Sequence, residues 1–284
     1  MNRLPAIKRA VILSALVEGN SINSIVRMTG VSKHTVLKLL EDVGCTAAAY
    51  HDAYIRDVRC RRVQVDEAWA FCYAKQKNVP PEKQGQFGYG DVWTWAAICA
   101  DSKLIVSYVV GTRGPETAKL FMDDLAKRVA NRIQLTSDGY RVYENAVENA
   151  FGCEVDYSML VKIYGAPLQD DATTRYSPAT CIGCRTATIS GHPDPAHVST
   201  SFIERQNLSM RMGMRRFTRL TNGFSKKIEN HGHAVALHFF HYNFIRIHQT
   251  LRVTPAMEAG IADHVWSFEE LLTLLDRKAL TNVA

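Results

Sequence analysis

Three acidic residues, Asp66, Asp138 and Glu204, have the type and the sequence setting that a divalent-metal site requires. Asp66 interrupts residues 62–69, an apolar alternation with the period of a β-strand. Asp138 ends a second strand-like run over residues 133–138, and Glu204 opens a basic segment. Carboxylates of this kind can hold a pair of metal ions that activates an attacking oxygen and stabilises a leaving one at phosphorus. The chemistry that these residues indicate is phosphoryl transfer on nucleic acid.

Each of these acids also has an ordinary structural explanation. Asp has a low strand propensity and loses solvation when it is buried, which favours a ligand role for Asp66. The neighbouring Glu67 would point to the opposite face of the strand, so we expect that it does not share the site. Asp138 precedes Gly139 and is equally typical of a turn or cap residue. Glu204, in the first turn of a helix, would complement the helix dipole.

The segment from Arg205 to Lys227 contains seven Lys or Arg residues and no Asp or Glu, although the net charge of the chain is only +6. A run of cations without acids suits a phosphate backbone, and a solvated basic helix face is the alternative. Arg211 follows Glu204 by two helical turns on the same face, where metal and DNA phosphate could be bound together. The predicted DNA-binding residues of this segment are Arg205, Arg211, Arg215, Arg216, Arg219, Lys226 and Lys227.

Residues 1–45 have the pattern of three short helices and predict a helix-turn-helix DNA-binding domain. Gly30 supplies the turn, Ser32 is a good N-cap for the third helix, and Gly44 is placed as its C-terminal stop. A generic three-helix capping module is the alternative, and residues 46–61 are expected to form a linker with partial helical character. The side chains expected to face a DNA groove are Lys33, His34, Thr35 and Lys38.

Residues 62–225 predict an α/β catalytic domain in which a mixed sheet is flanked by helices, the RNase H-like arrangement. Strand patterns cover residues 62–71, 92–100, 104–111, 133–137 and 154–164, with one helix after Pro115 and another over residues 143–151. In that arrangement the first and fourth strands are adjacent, which would bring Asp138 beside Asp66.

The remaining segments are expected to be a loop and helices. Residues 166–198 lack periodicity and predict a loop inserted into the catalytic domain. Helical character returns at Ser199 and continues through the basic segment, and residues 226–284 predict a helical C-terminal region that follows the catalytic domain.

The seven cysteines, an odd number scattered over apolar segments, predict reduced thiols in a cytoplasm. No run approaches 18 consecutive apolar residues, so we expect no membrane span. Cys181 and Cys184 form a CxxC pair for which plain thiols, a partial site completed elsewhere and structural zinc are the alternatives. We do not expect zinc, because His192 follows too closely for a zinc finger. Packing or phosphate contacts, rather than metal ligation, are expected for His231, His233, His238, His241 and His248.

Five segments together resemble a DDE transposase of bacterial insertion sequences, most of all the IS-one family. They are residues 65–69 (Val-Asp-Glu-Ala-Trp), 136–139 (Thr-Ser-Asp-Gly), 201–207, 214–222 and 242–257. The resemblance implies that Asp66, Asp138 and Glu204 bind two Mg²⁺ ions, with Mn²⁺ as a substitute. It also implies that Arg211 matches the family's basic residue seven positions after the glutamate.

The same resemblance implies a reaction, partners and a location. Water would hydrolyse a DNA strand at the end of the element, and the freed 3′-hydroxyl would attack target DNA. The DNA partners would be the terminal repeats and the target, bound by a homo-oligomer in the nucleoid of a bacterial cytoplasm.

The chain departs from the family pattern in two respects. No cysteine precedes Cys45, so the N-terminal zinc-binding module that IS-one members usually carry is absent. Asp138 and Glu204 are also 66 positions apart, which is longer than in many relatives. Glu204 is preferred as the third acid because it alone opens a basic helix; its rivals are Glu148, Asp156, Asp170, Asp171 and Asp194.

Two other functions compete with the transposase hypothesis. One is a helix-turn-helix DNA-binding regulator derived from a transposase and lacking catalysis; the other is an RNase H-like nuclease without strand transfer. The presence of all three acids favours an enzyme over a regulator. The predicted DNA-reading module argues against a non-specific nuclease.

Overall fold

The computed structural model of the 284-residue chain describes residues 4–165, 181–218 and 222–281. Within those ranges, none of the helices combines the length and the apolar character that crossing a bilayer requires.

Three helices begin the chain, as the sequence predicts: α1 (Ala6–Val17), α2 (Ile22–Thr29) and α3 (Lys33–Tyr54). Ser32 caps α3 by accepting a hydrogen bond from the backbone N–H of Thr35, and Gly30 ends α2 with φ at 66°. The predicted end of the third helix at Gly44 is wrong, because α3 continues for ten more residues into the segment expected to be a linker. A Cβ at Gly44 would lie 2.5 Å from the Cβ of His233, so this glycine permits a close helix crossing instead of a helix stop.

The central part of the chain forms the predicted series of strands and helices. Its elements are β1 (Arg62–Cys72), β2 (Gly90–Cys99), β3 (Ile105–Gly111), α4 (Pro115–Ala126), β4 (Ile133–Ser137), α5 (Val142–Phe151) and β5 (Val155–Tyr164). β1, β2 and β3 pair antiparallel, whereas β4 pairs parallel with both β1 and β5. The predicted adjacency of the first and fourth strands is therefore confirmed.

A sixth strand, β6 (Cys181–Ser190), corrects the prediction of an inserted loop over residues 166–198. It pairs antiparallel with β5 and completes a mixed sheet in the order β3-β2-β1-β4-β5-β6. Most of its side chains are exposed, so the strand is held by backbone pairing at the sheet edge and lacks the apolar alternation that sequence patterns detect. Residues 166–180 of the predicted loop lie outside the described residues.

Four further helices follow: α6 (Ser201–Gly213), α7 (Ile228–Phe240), α8 (Pro255–Glu258) and α9 (Phe268–Thr281). The helical pattern does not run through the basic segment as predicted, because α6 stops at Gly213 and, of the described residues from there to Lys227, Arg215–Phe217 form a short 3₁₀ turn. A Cβ at Gly213 would lie 3.0 Å from the carbonyl oxygen of Val17, so the end of α6 comes close to the end of α1.

Helices cover both faces of the sheet. On one face, Trp95 and Leu135 pack with Phe121 of α4 and Tyr143 of α5. On the other face, a second apolar cluster joins the sheet to α6 and α7; its members include Ala68, Ala96, Ile98, Ile203, Met210, Val235 and Phe239. The N-terminal helices pack on the C-terminal ones, and Arg9 of α1 forms two 2.9 Å hydrogen bonds with Asp276 of α9. The resulting fold is α/β, with a sheet enclosed between two helical layers.

Candidate metal centre

Asp66 and Asp138 are neighbours because β1 and β4 run parallel. The two strands pair from Arg62 opposite Gln134 to Gln64 opposite Thr136, and the same register extended by two residues places Asp66 opposite Asp138. Asp138 lies just beyond the last residue of β4, and its Oδ1 accepts a 2.9 Å hydrogen bond from the backbone N–H of Tyr140. Asp138 thus stabilises the turn, as expected of a turn or cap residue, and its carboxylate also lies beside Asp66.

Glu67 joins these two acids, contrary to the sequence-based expectation. One carboxylate oxygen from each of Asp66, Glu67 and Asp138 lies within 4.8 Å of the other two. Glu67 does point to the opposite face of β1, since it lies beside Tyr143 of α5 whereas Asp66 contacts α6. The inference was wrong because Asp138 lies past the paired end of β4, where side chains from both faces of the sheet can reach it.

The electrostatics of this acidic cluster are those of three carboxylates held together with little solvent. Burial, followed by repulsion from Asp138 and Glu204, raises the pKa of Asp66 to about 6. Burial, followed by repulsion from Asp138 and Asp66, raises the pKa of Glu67 to about 8. Among the described residues, the cation that pairs with the cluster is Arg113, whose Nη2 is 3.8 Å from Glu67 Oε2. At neutral pH the cluster therefore holds a proton on Glu67, because its protein surroundings do not neutralise three carboxylate charges.

The acidic cluster fits a hard divalent cation. All of its donors are carboxylate oxygens, which Mg²⁺ and Mn²⁺ prefer. The Glu67 side chain is only 1% exposed, and its Oε1 has no hydrogen-bond partner among the described residues. A cation there would supply the missing partner and relieve the repulsion that raises the two pKa values.

Glu204 lies in the first turn of α6 and lines the same cleft as Asp66 and Asp138, a space of about 520 Å³. Its carboxylate does not join the acidic cluster. Both of its oxygens accept hydrogen bonds from Lys162 Nζ of β5, at 2.5 Å each, and Thr200 donates a third. The structure thus places Glu204 in the cleft but pairs it with a cation from the facing strand.

Two amide side chains that the sequence analysis did not single out hold α6 against β1. Gln64 Oε1 accepts hydrogen bonds from the backbone N–H groups of Phe202 and Ile203, at 2.8 and 3.2 Å. Asn207 Nδ2 donates a 2.8 Å hydrogen bond to Asp66 Oδ2. Spacing would have indicated both residues, because Gln64 shares a strand face with Asp66 and Asn207 lies one turn after Glu204.

The predicted DNA-binding residues of α3 lie at its start. Lys33, His34 and Lys38 are exposed. The Thr35 hydroxyl is instead 2.9 Å from the Ser32 hydroxyl in the helix cap. Lys38 is 3.4 Å from Asp42, an exposed pair that leaves its ammonium accessible to solvent.

The predicted DNA-binding residues of the basic segment fall into three settings. Arg205 and Arg211 lie on α6, and Arg205 is exposed. Arg215, Lys226 and Lys227 are exposed beyond α6. Arg216 is partly buried and donates a 3.0 Å hydrogen bond to Ser225 Oγ. Arg219 lies outside the described residues.

Among the described residues, neither the rivals Glu148, Asp156 and Asp194 nor the cysteine pair joins the acidic cluster. Asp156 pairs with Arg132 at 2.7 Å, and Asp194 accepts a hydrogen bond from the N–H of Ala196. Asp170 and Asp171 are outside the described residues. Cys181 and Cys184 are exposed free thiols, and within the described part of the chain only Asp66, Glu67 and Asp138 gather as three or more metal-ligating groups.

Comparisons with known proteins give distant structural neighbours only. No family model matches the sequence, and no curated protein matches it. The fold is similar to piggyBac transposase in a synaptic complex with hairpin DNA, with 11% identity, a TM-score of 0.38, and coverage of 95% of this chain and 70% of that one. It is also similar to the Mos1 strand transfer complex, with 12% identity, a TM-score of 0.25, and coverage of 85% and 78%. At these values, neither neighbour bears on activity or substrate.

Proposed function

We propose that this chain is a metal-dependent DNA transposase of the DDE type, which cleaves DNA strands at the ends of an insertion sequence and joins them to a target. The observation that carries the proposal is that Asp66, Glu67 and Asp138 converge at the wall of a cleft that Asp66, Asp138 and Glu204 line. Strand order supports it, because the acid-bearing β1 and β4 are the central parallel pair of an RNase H-like sheet.

Asp66, Asp138 and Glu67 would hold a first Mg²⁺ or Mn²⁺ ion, and Glu204 would complete the site for a second. When bound, the pair of ions activates the attacking oxygen and neutralises charge that develops on the phosphate and the leaving oxygen. The protein's own contribution is to fix the carboxylates. Asn207 orients Asp66, and Gln64 anchors the start of α6 so that Glu204 faces the cleft.

The cations around the cleft would position the DNA strand. Arg205 follows Glu204 on α6 and lines a neighbouring groove with Lys103 and Arg246, where its exposed guanidinium suits a phosphate that flanks the reacting one. Arg113 borders the cleft beside Tyr140, with its guanidinium carbon 4.3 Å from the centre of that ring. Such contacts supply affinity without reading sequence.

Sequence reading is proposed for the N-terminal helices. The exposed Lys33, His34 and Lys38 lie at the start of α3, where the recognition helix of a helix-turn-helix meets the major groove. These residues would bind the terminal repeats of the element. We further propose that the enzyme acts as a homo-oligomer on DNA, since two element ends must be processed together.

The test is a cleavage and joining assay with the full chain. A labelled duplex that carries the inverted repeat flanking the gene is incubated with Mg²⁺ and a target plasmid, and nicked and joined products are resolved on a gel. Wild-type protein should give both products. Asp66→Asn should reduce both products by at least about 1,000-fold, because it removes a carboxylate that binds the metal.

Asp123→Asn is the matched control, since Asp123 is on the outer side of α4 and pairs with Lys119. It should retain wild-type activity. If the wild-type protein binds the repeat tightly but cleaves nothing with Mg²⁺ or Mn²⁺, the chain is a DNA-binding regulator and the proposal is wrong. If it nicks DNA of any sequence and joins none, the chain is a nuclease.

A further inference from the structure

A second cavity, of about 280 Å³, lies between the N-terminal helices and α7, away from the acidic cluster. Cations line it, and no acid is present among the described residues of its wall. Its cations are Lys33, Arg215, Arg216, Lys226 and Lys227. In the part of the cavity wall that the structure describes, no carboxylate balances these cations, which favours an anionic ligand.

Arg216 is a partly buried cation that no carboxylate of the described residues neutralises. Burial lowers its pKa to about 10. Its one partner among the described residues is the Ser225 hydroxyl, at 3.0 Å, and no described carboxylate pairs with it. A buried guanidinium without a carboxylate is costly unless another anion approaches it. A phosphate in the cavity would supply that anion and could accept two hydrogen bonds from one guanidinium.

His238 gives the cavity a second kind of recognition group. Its side chain is 3% exposed and lines the cavity, and neither ring nitrogen has a hydrogen-bond partner among the described residues. A neutral imidazole offers one donor and one acceptor. The two nitrogens point away from each other, so one of them can bond a donor or an acceptor on the edge of a nucleobase.

The other walls of the cavity also suit a base. Apolar side chains line part of it, among them Leu16, Leu37 and Leu237, and four asparagines add further donors and acceptors. Phe224 stacks on Phe71 and holds the Lys226 ammonium 3.6 Å from its ring centre, so it positions that cation beside the cavity. Apolar and aromatic surfaces take the faces of a base, and cations hold its phosphate. The volume of about 280 Å³ is slightly below the usual range of ligand pockets, about 300–1,000 Å³, and limits the occupant to about one nucleotide.

We infer that this cavity binds a single unpaired nucleotide of a DNA strand, with the phosphate at Arg216 and the neighbouring cations and the base against His238. The inference rests on the proposed function only in taking DNA as the source of the nucleotide. A duplex bound along α3 and the basic segment would pass the mouth of the cavity, because Lys33 and Lys227 belong to both surfaces.

The test uses the full chain in excess EDTA, so that the acidic cluster cannot contribute through metal. A duplex with one unpaired 2-aminopurine is compared with the same duplex in which 2-aminopurine is paired with thymine. Fluorescence of the unpaired probe should change saturably, with an affinity at least about tenfold higher than for the paired duplex. The free 5′-monophosphate of 2-aminopurine deoxyriboside should compete, and inorganic phosphate at the same concentration should not.

Arg216→Gln and His238→Phe should each weaken binding of the unpaired probe by about tenfold, a difference of about 1.4 kcal/mol. The matched controls are Arg56→Gln and His264→Phe, because both residues lie outside the cavity. If a buried substitution lowers the melting temperature, the exposed Lys227→Ala replaces it and should weaken binding by about threefold. Equal binding of paired and unpaired duplexes, or equal competition by phosphate, would overturn the inference.

The outcome can be separated from that of the proposed function. Loss of strand cleavage with intact binding of the unpaired nucleotide would refute the transposase proposal alone. Cleavage that persists while paired and unpaired probes bind equally would refute the nucleotide site alone.

Discussion

Lys162 Nζ lies 2.5 Å from each carboxylate oxygen of Glu204, across the cleft between β5 and α6. Within the described part of the chain, the acidic cluster has no comparable cation, since Arg113 approaches Glu67 only to 3.8 Å. The two sides of the cleft therefore differ. The acidic cluster has no close ammonium partner among the described residues, whereas Glu204 is already paired with Lys162. A metal ion at Glu204 must compete with the lysine ammonium.

Lys162→Met should strengthen the binding of Mn²⁺ at Glu204 by up to about fivefold, because a partly exposed ion pair contributes up to about 1 kcal/mol. Electron paramagnetic resonance of free Mn²⁺ during a titration measures this without DNA. Lys119→Met is the control, because Lys119 forms an ion pair with Asp123 on the outside of α4. Unchanged or weaker binding in Lys162→Met would show that the ion pair does not oppose the metal.

Glu67→Gln should have opposite effects in the absence and presence of metal. Because the Glu67 pKa is raised to about 8, the folded protein in EDTA near pH 7 must hold a proton on this carboxyl that the unfolded chain lacks. The substitution removes that cost, so the free energy of unfolding should rise by about 1–3 kcal/mol. With Mn²⁺ the stabilisation by metal should be smaller than in the wild type, because one ligand is lost. Melting temperatures with and without Mn²⁺ measure both effects.

The comparison for Glu67→Gln is Glu148→Gln, which changes an exposed glutamate on α5. That variant should melt like the wild type in both conditions. A Glu67→Gln protein that keeps the full stabilisation by Mn²⁺ would exclude Glu67 from the metal site.

Gly44→Ala and Gly232→Ala should change stability in opposite directions, although both glycines lie inside helices. A Cβ at Gly44 would be 2.5 Å from the His233 Cβ, which forces α3 and α7 apart and should cost about 1–3 kcal/mol. A Cβ at Gly232 would meet nothing within 4 Å, so alanine there should stabilise α7 by about 0.5–1 kcal/mol. Urea denaturation of both variants tests whether α3 and α7 cross closely at Gly44. Equal destabilisation by the two substitutions would contradict that close crossing.

The buried histidines should make the protein sensitive to acid. Burial lowers the pKa of His51, His231 and His238 to about 3 in each case. The unfolded chain takes up protons near pH 6.5, whereas the folded chain resists protonation until about pH 3. The stability that these residues contribute is thus complete above pH 6.5 and is lost as the pH falls towards 3.

Each such histidine should lower the free energy of unfolding by about 1.4 kcal/mol per pH unit in that range. Asp66 and Glu67 act in the opposite sense, because their raised pKa values make protonation favour the folded state. Urea denaturation at pH 7, 6 and 5 measures the net slope. His238→Phe should flatten it, and a wild-type stability that does not change between pH 7 and 5 would contradict the prediction.

Much of the fold was predictable because its signals are local. The period-2 alternation of residues 62–71 and the caps at Ser32 and Pro115 depend only on neighbouring residues, and the corresponding elements form where predicted. β6 escaped prediction because its exposed side chains lack an apolar period. Gly44 was misjudged because a glycine at a helix crossing and a glycine at a helix end look alike until the partner helix is known.

The sequence by itself determined the candidate acids, since an aspartate within a strand and a glutamate that opens a cationic helix are informative without any partner. Only the tertiary structure decided which carboxylates meet. The parallel pairing of β1 with β4 places Asp66 beside Asp138, and the end of β4 admits Glu67 from the other face. The pairing of Glu204 with Lys162 depends on β5 and α6 facing each other across the cleft. Such convergence joins residues far apart in sequence, so no local pattern encodes it.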